Sequence, residues 1–155
     1  MQNYQNMVFS TALRLVASHA EAEDISQEVF LKAYKAIGRF RGDSSFSTWL
    51  YRIAVNTCLN FRAARKPDAE ELPDALPDRS AGAAAAIESE EQARVVRNAV
   101  SRLPEKQRAT LILKIFHDLT HEEVAGVLGS TVGTVKANLF HALGNLRKLM
   151  TEAEE

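Results

Sequence analysis

With one cysteine, Cys58, in 155 residues, this chain can form neither an internal disulfide nor a cysteine-based metal cluster. Histidines are few and scattered. His117 and His121 stand four apart, but Leu119 and Thr120 read as a helix break between them, so no shared metal is expected. No apolar run approaches the roughly 20 residues that a membrane-spanning helix needs, and no secretory signal pattern opens the chain. No membrane insertion is therefore expected, and the cytoplasm is the default location. No nucleophile, base and orienting acid form a recognisable set, so neither catalytic residues nor a cofactor are expected. Proline is sparse too, and three of the four prolines fall in a single stretch.

An excess of either charge is also lacking, since the net charge is −1. That average hides a division. Residues 1–66 hold nine Lys/Arg against five Asp/Glu, residues 67–92 hold one against eight, and residues 93–155 hold nine against seven. Within 38–66 the balance is six to one. Local charge rather than the overall balance sets attraction to phosphate. Two mildly basic parts thus flank an acidic connector, PDAEELPDALPDRSAGAAAAIESEE, with no amphipathic stripe until about Ile87. Its prolines and alanine run predict a flexible linker, either repelled from DNA by its acidity or acidic for solubility alone.

Ahead of the connector the pattern is helical throughout. Val8, Ala12, Leu15 and Val16 share one face of a first helix. In 21–37, acids come first and lysines later, as the helix dipole prefers. Ile25, Val29, Ala33 and Ile37 make one stripe, Phe30, Leu31 and Tyr34 a second, and Asp24, Gln27, Glu28 and Lys32 a polar edge. A helix apolar on two sides is either central in its domain or docks a partner. After Gly38, the loop F-R-G-D-S-S leads into another helix around Ser47. Phe46, Trp49, Leu50, Ile53, Ala54, Thr57 and Phe61 are expected to line its core side. Arg52, Val55, Leu59, Arg62 and Lys66 fall opposite, with Asn56 at the margin. Basic side chains interleaved with Val55 and Leu59 suit a phosphate backbone with bases close by. The loop's aromatic, arginine, glycine and hydroxyls are compatible with holding an unstacked base.

The clearest pattern lies in 119–150. Thr120 and Glu123 have the spacing of a capping box, and Val124, Ala125 and Leu128 give the following helix a short apolar face. Gly129 interrupts, and Thr131 is placed to cap a second, longer helix. This is the helix-turn-helix unit, whose second helix enters the DNA major groove. On a wheel of about 3.6 residues per turn, Val132, Val135, Leu139, Ala142, Leu143, Leu146, Leu149 and Met150 share one arc. Gly133, Lys136, Ala137, Phe140, His141 and Gly144 lie on the other side. Phe140 is thus a large apolar residue on a face expected to be solvated, among small neighbours that permit close approach. An aromatic on thymine methyls beside a lysine on phosphate or guanine accounts for it. A helical hairpin with one stray surface phenylalanine is the plain alternative.

Three motifs, D-x-x-Q-E-x-F from Asp24, F-R-G-D-S-x-F-x-T-W-L-Y-R-I-A from Phe40, and V-G-T-V-K from Val132, occur in this order. With their surroundings they closely resemble the second and fourth conserved domains of bacterial sigma factors of the extracytoplasmic-function (ECF) group. The resemblance implies an all-α chain of two small helical domains joined by an acidic flexible linker. Residues 1–66 would bind core RNA polymerase and the minus-ten promoter element, residues 67–90 would be the linker, and residues 91–155 would carry the helix-turn-helix for the minus-thirty-five element. Core polymerase would dock on Asp24, Gln27, Glu28 and Lys32. The loop Phe40, Arg41, Gly42, Asp43, Ser44 and Phe46 would capture a flipped base, with Asn56 reading a base beside Val55 and with Arg52, Arg62 and Arg65 on the backbone. Duplex DNA would meet Thr131, Gly133, Thr134, Lys136, Ala137, Asn138, Phe140 and His141. The implied partners are core RNA polymerase, promoter DNA both duplex and single-stranded, and an anti-sigma factor; catalysis would belong to the polymerase.

Two departures from the family pattern stand out. A helix that family members usually carry ahead of Tyr4 is expected to be missing. Ala137, Asn138, His141, Leu143 and Gly144 stand where Ser, Arg or Lys are frequent, so the last helix alone should bind DNA weakly. Two rival classes stay open. A sigma-like mimic would sequester an anti-sigma factor without touching promoters; the weakly basic last helix favours it, whereas the loop, Trp49 and Asn56 oppose it. A plain repressor would use only the helix-turn-helix, with dimeric reading of half-sites. The linker reading predicts that limited proteolysis cuts between Arg65 and Glu90 and releases two folded pieces. Resistance along that stretch would instead mean that the two halves are closed on one another.

Overall fold

A computed structural model describes residues 2–42, 45–64 and 85–154, and every regular element among them is helical. Helix α1 (Gln2–Val16) and α2 (His19–Ala36) form an antiparallel pair, with α3 (Phe46–Ala63) packed against both. Ser18 caps α2, its hydroxyl accepting from the Glu21 N–H. The expected stripes hold in the main: Val8, Ala12 and Leu15 of α1 meet Ile25, Val29 and Ala33 of α2 and Leu50 and Ala54 of α3. Each of the valine, leucine and isoleucine side chains contributes about 1.5–3 kcal/mol when fully buried, and each alanine methyl about 0.8 kcal/mol. Ile37 departs from its stripe. The chain tightens into a 3-10 turn over Ile37–Arg39, which changes the angular step and leaves Ile37 half exposed.

The second half starts earlier than expected. Helix α4 (Ala85–Ser101) begins inside the stretch read as linker, whose remainder lies outside the described residues. Helix α5 (Glu105–Leu111) runs directly into a π-helical stretch, Ile112–Phe116. Helix α6 (His121–Leu128) opens with the full capping box: the Glu123 N–H donates to Thr120 Oγ1 at 3.1 Å, and the Thr120 N–H to Glu123 Oε1 at 3.0 Å. It closes at Gly129 with φ of 64°, a left-handed conformation that glycine adopts without a Cβ clash. Thr131 then caps α7 (Val132–Glu154), accepting from the Thr134 N–H at 3.1 Å. Val135 and Ala142 are buried, and Val132, Leu139, Leu146 and Leu149 pack against the core. Leu143 does not join them; it is 46% exposed, at the edge of an arc too wide for α4 and α5 to cover.

The two halves share one continuous core, because α6 packs on α3 and the π-helical stretch packs on α1. This overturns part of the reading of α3. Val55, placed opposite the expected core side, is buried, as are Tyr51 and Cys58, which were assigned to neither side, whereas Phe46, Trp49 and Ile53 are only partly so. A helix contacted by α1, α2 and α6 has no single open face. Burial also pushes the Cys58 thiol up to about 12, which leaves it inert.

At the seam, His117 points back into the first half. Its Nδ1 lies 3.0 Å from Tyr51 Oη, and its Nε2 lies 3.3 Å from Thr11 Oγ1. Burial, and then the Arg14 guanidinium, bring its pKa down from 6.5 to about 4. A histidine held neutral in the fold but free to protonate when unfolded stabilises the fold above the unfolded pKa, and that contribution is lost as pH falls. The unfolding midpoint should therefore drop between about pH 6.5 and pH 4. The drop should be smaller in His117→Gln, as measured by thermal circular dichroism of both proteins across that window.

Candidate functional site

Asp24, Gln27 and Glu28 are exposed along one edge of α2, and Lys32 continues that edge. Lys32 is held in place from two directions: its ammonium pairs with Glu28 at 3.2 Å and donates to Thr57 Oγ1 of α3 at 3.3 Å. The same edge continues through Leu31 and Tyr34, which are 61% and 81% exposed. Neither was singled out from sequence as a docking residue. The signal was the second apolar stripe: of its three members only Phe30 turned inward to pack against the core. Leu31 and Tyr34 thus stand as large exposed apolar groups in line with the carboxylates of Asp24 and Glu28.

Beyond α2, Gly42 sits at φ of 76°, a backbone conformation that favours glycine. Ser45 caps α3 through the Thr48 N–H, two residues before the start read from sequence. Phe40, Phe46 and Trp49 form an aromatic cluster, with ring centroids 5.3 to 6.0 Å apart. Tyr4 of α1 joins its edge at 5.1 Å from Phe46, a contact between distant segments that no local pattern announced. Arg41 is exposed, while Asp43, Ser44 and Arg65 lie outside the described residues.

On α3, Arg52 and Asn56 are exposed and one turn apart, so they project from the same side of the helix. Two expected neighbours are not available there. Val55 has no solvent exposure, because α3 is covered on more than one side. Arg62 is half-buried and donates through Nη1 to the Leu15 carbonyl at the end of α1, which uses the guanidinium internally.

The exposed side of α7 carries Gly133, Thr134, Lys136, Ala137, Phe140 and His141 together. Asn138 is half-buried at its margin, and Thr131 is spent on the cap. Phe140 is 76% exposed and meets the His141 ring edge-on at 5.7 Å. A capped helix offering one lysine, one aromatic and small residues on an open face is shaped for close approach to a groove.

Comparison with known proteins agrees with this geometry. Residues 1–67 match the family Sigma-70 region 2, and residues 93–146 match Sigma-70, region 4. The RNA polymerase sigma-H factor of Pseudomonas aeruginosa is 40% identical over 90% of this chain and 78% of its own length. The ECF RNA polymerase sigma-E factor of Escherichia coli (strain K12) is 39% identical over the same shares. Among solved structures, the sigma factor RpoE in complex with the anti-sigma factor NepR from Bartonella quintana superposes with a TM-score of 0.76. That match covers 97% of this chain and 93% of the other, at 21% identity. CnrH in complex with the cytosolic domain of CnrY gives 0.69 over 95% and 82%, at 22% identity. At such identities the likeness is one of fold. With the sequence relatives, it places this chain in the ECF group of the bacterial sigma-factor family.

Proposed function

We propose that the chain is a transcription initiation factor that binds core RNA polymerase, directs it to particular promoters and assists strand opening. Its working place is then the cytoplasm, where the polymerase is. No helix among the described residues is long and apolar enough to cross a membrane. The observation that carries the reading is the open face of α7, where Lys136 and Phe140 stand on a doubly capped helix-turn-helix. The single-strand contacts fall to Arg52, Asn56 and the loop from Phe40 to Phe46. The polymerase contact falls to the edge Asp24, Gln27, Glu28 and Lys32, extended by Leu31 and Tyr34. No residue of this chain is assigned a catalytic role, since the polymerase supplies the chemistry. The sigma factor RpoE is seen in complex with the anti-sigma factor NepR, and CnrH in complex with the cytosolic domain of CnrY. Control of this chain by a comparable protein belongs to the same proposal.

Reversing charge at Asp24 and Glu28 together should weaken core association while leaving the helical circular dichroism unchanged. Unchanged affinity would move the docking surface elsewhere. The two DNA contacts should fail differently. Lys136→Glu should weaken promoter-complex formation and lower the slope of log affinity against log salt by about 1, as expected for a lost phosphate contact. Asn56→Ala should spare that slope yet change which minus-ten base is preferred, since one specific base contact is worth about 1–3 kcal/mol. A pre-melted template should restore opening in the Asn56 variant but not its base preference. Run-off transcription with core polymerase on a promoter panel decides the whole reading. Wild-type chain that binds core yet supports no transcript on any template would favour the anti-sigma-sequestering mimic.

A further inference from the structure

The open face of α7 has two flanks, and they carry different chemistry. Gly133, Ala137, Phe140 and Gly144 form an exposed strip between them. Lys136 and His141, five residues apart, are turned about 140° from one another at roughly 3.6 residues per turn. They therefore border the strip on opposite sides. Lys136 is a permanent cation. On the other flank the exposed polar side chains up to His141 are Thr134 and the imidazole itself. Between Thr131 and His141 the sequence holds no titratable side chain besides these two, and Arg147 and Lys148 follow more than a turn further on. The His141 ring meets that of Phe140 edge-on, at 5.7 Å and 74°, so it stands beside the aromatic that approaches the groove.

Among the described residues no carboxylate pairs with the His141 ring. Helices α4, α5 and α6 pack on α7. Of these, α5 reaches the His141 flank, where Asn145 Nδ2 donates to Gln107 Oε1 at 2.8 Å, one turn beyond the histidine. Its charged residues are Glu105, Lys106 and Arg108, and Arg108 is buried on the Leu15 and Leu103 carbonyls. Helix α6 brings His121, Glu122 and Glu123, the last engaged in the capping box. The described side chains of α4 add Glu90, Glu91, Arg94 and Arg97, two of each sign. On α7 itself, Glu152 lies about three turns beyond His141. No anion is thus committed to the ring, which is left for a partner to supply.

A helix seated in the major groove lies between two ridges of phosphate, one from each strand. The groove is about 12 Å wide, and the rise from Val132 to His141 is roughly 13.5 Å. When the first turns of α7 lie over base edges, His141 is therefore brought to the rim rather than to the floor. We propose that His141 is a proton-dependent phosphate contact, so that engaging the minus-thirty-five element takes up a proton. Histidine is the side chain that ordinarily changes charge between about pH 5 and 8. A phosphate within about 4–6 Å favours the charged form. DNA then binds the protonated chain more tightly than the neutral one, and by linkage affinity falls as pH rises. Lys136 holds one strand at every pH, and His141 adds the other only when protonated. The sparse charge of α7 thereby becomes adjustable, and acidification strengthens promoter engagement.

The proposal rests on the promoter reading above, and the test separates the two. The probes are short fluorescein-labelled duplexes spanning the minus-thirty-five position of each template in the promoter panel. Their binding to the full-length chain is followed by anisotropy at low salt. Wild-type affinity should fall about threefold to tenfold between about pH 6 and pH 8. Its slope of log affinity against log salt should be steeper by about 1 at the lower pH, as expected for one more phosphate contact. His141→Gln should lose the pH dependence with its helical circular dichroism unchanged. His141→Arg, a permanent cation, should bind at the higher pH as tightly as wild type does at the lower. His121→Gln, altered at the half-buried histidine that opens α6, should keep the wild-type profile. Wild-type affinity that does not change with pH overturns the proposal, and so does a fall that persists in His141→Gln. A chain silent in transcription on every template sinks the promoter reading instead, and the same binding curves still decide whether His141 meets phosphate.

Discussion

The carbonyl of Leu15 accepts from two guanidiniums that arrive on different helices, Arg62 from α3 and Arg108 from α5. The rest of the architecture is arranged around that junction. The carbonyls ending a helix carry partial negative charge with no intrahelical donor, so they are a natural seat for cations. Ala17, at φ of 58°, turns the chain sharply just beyond it and lets α2 start within three residues. Because one carbonyl serves both halves, the C-terminal end of α1 is where the first three helices are knit together and where the second half is anchored. A hydrogen bond to a charged group is worth about 1.5–3 kcal/mol, yet burying a guanidinium offsets part of that, with the Glu105 carboxylate acting against the desolvation of Arg62. The junction therefore defines a geometry more strongly than it stabilises one.

What could be read from sequence follows the range of the interaction involved. The helix-turn-helix was legible down to its caps, because Thr120, Glu123, Gly129 and Thr131 act within three or four residues of themselves. The polar edge of α2 was legible because its periodicity is local. Val55 and Arg62 were misread for the opposite reason. A helical wheel sorts residues into one buried and one open side, and α3 is contacted by α1, α2 and α6. Ile37 failed where the helix tightened, since a change from 3.6 to about 3 residues per turn moves every following side chain. His117 carried no legible role, because its partners Thr11 and Tyr51 are 106 and 66 residues away in sequence.

On the proposed reading, the exposed surfaces divide recognition into contacts that are individually modest. The open face of α7 offers one lysine, and the open side of α3 offers Arg52 beside Asn56. So few cations displace few counterions, which keeps either surface weak on DNA alone. Joined on one chain, and held near DNA by a polymerase, the second contact becomes intramolecular and gains a local concentration in the millimolar range. Specificity then comes from meeting both elements at once rather than from tight binding at either. Weak separate contacts suit this, because a tight one would hold the chain on sites that carry only half of the signal.

That scheme needs a chain able to be compact in one state and long in another, and covalent geometry permits it. Between the end of α3 and the start of α4, residues 65–84 supply twenty peptide units. At about 3.3–3.6 Å each, they cannot hold the halves closer than folding chooses, nor farther apart than roughly 70 Å. Two halves each of about 25–30 Å added to that reach exceed the roughly 85 Å separating the two promoter elements. Eight carboxylates against one arginine in 67–92 also repel any phosphate that this stretch approaches. The closed arrangement thus depends on the packing of α6 on α3 and of the π-helical stretch on α1, with His117 and the Leu15 carbonyl at the seam between them.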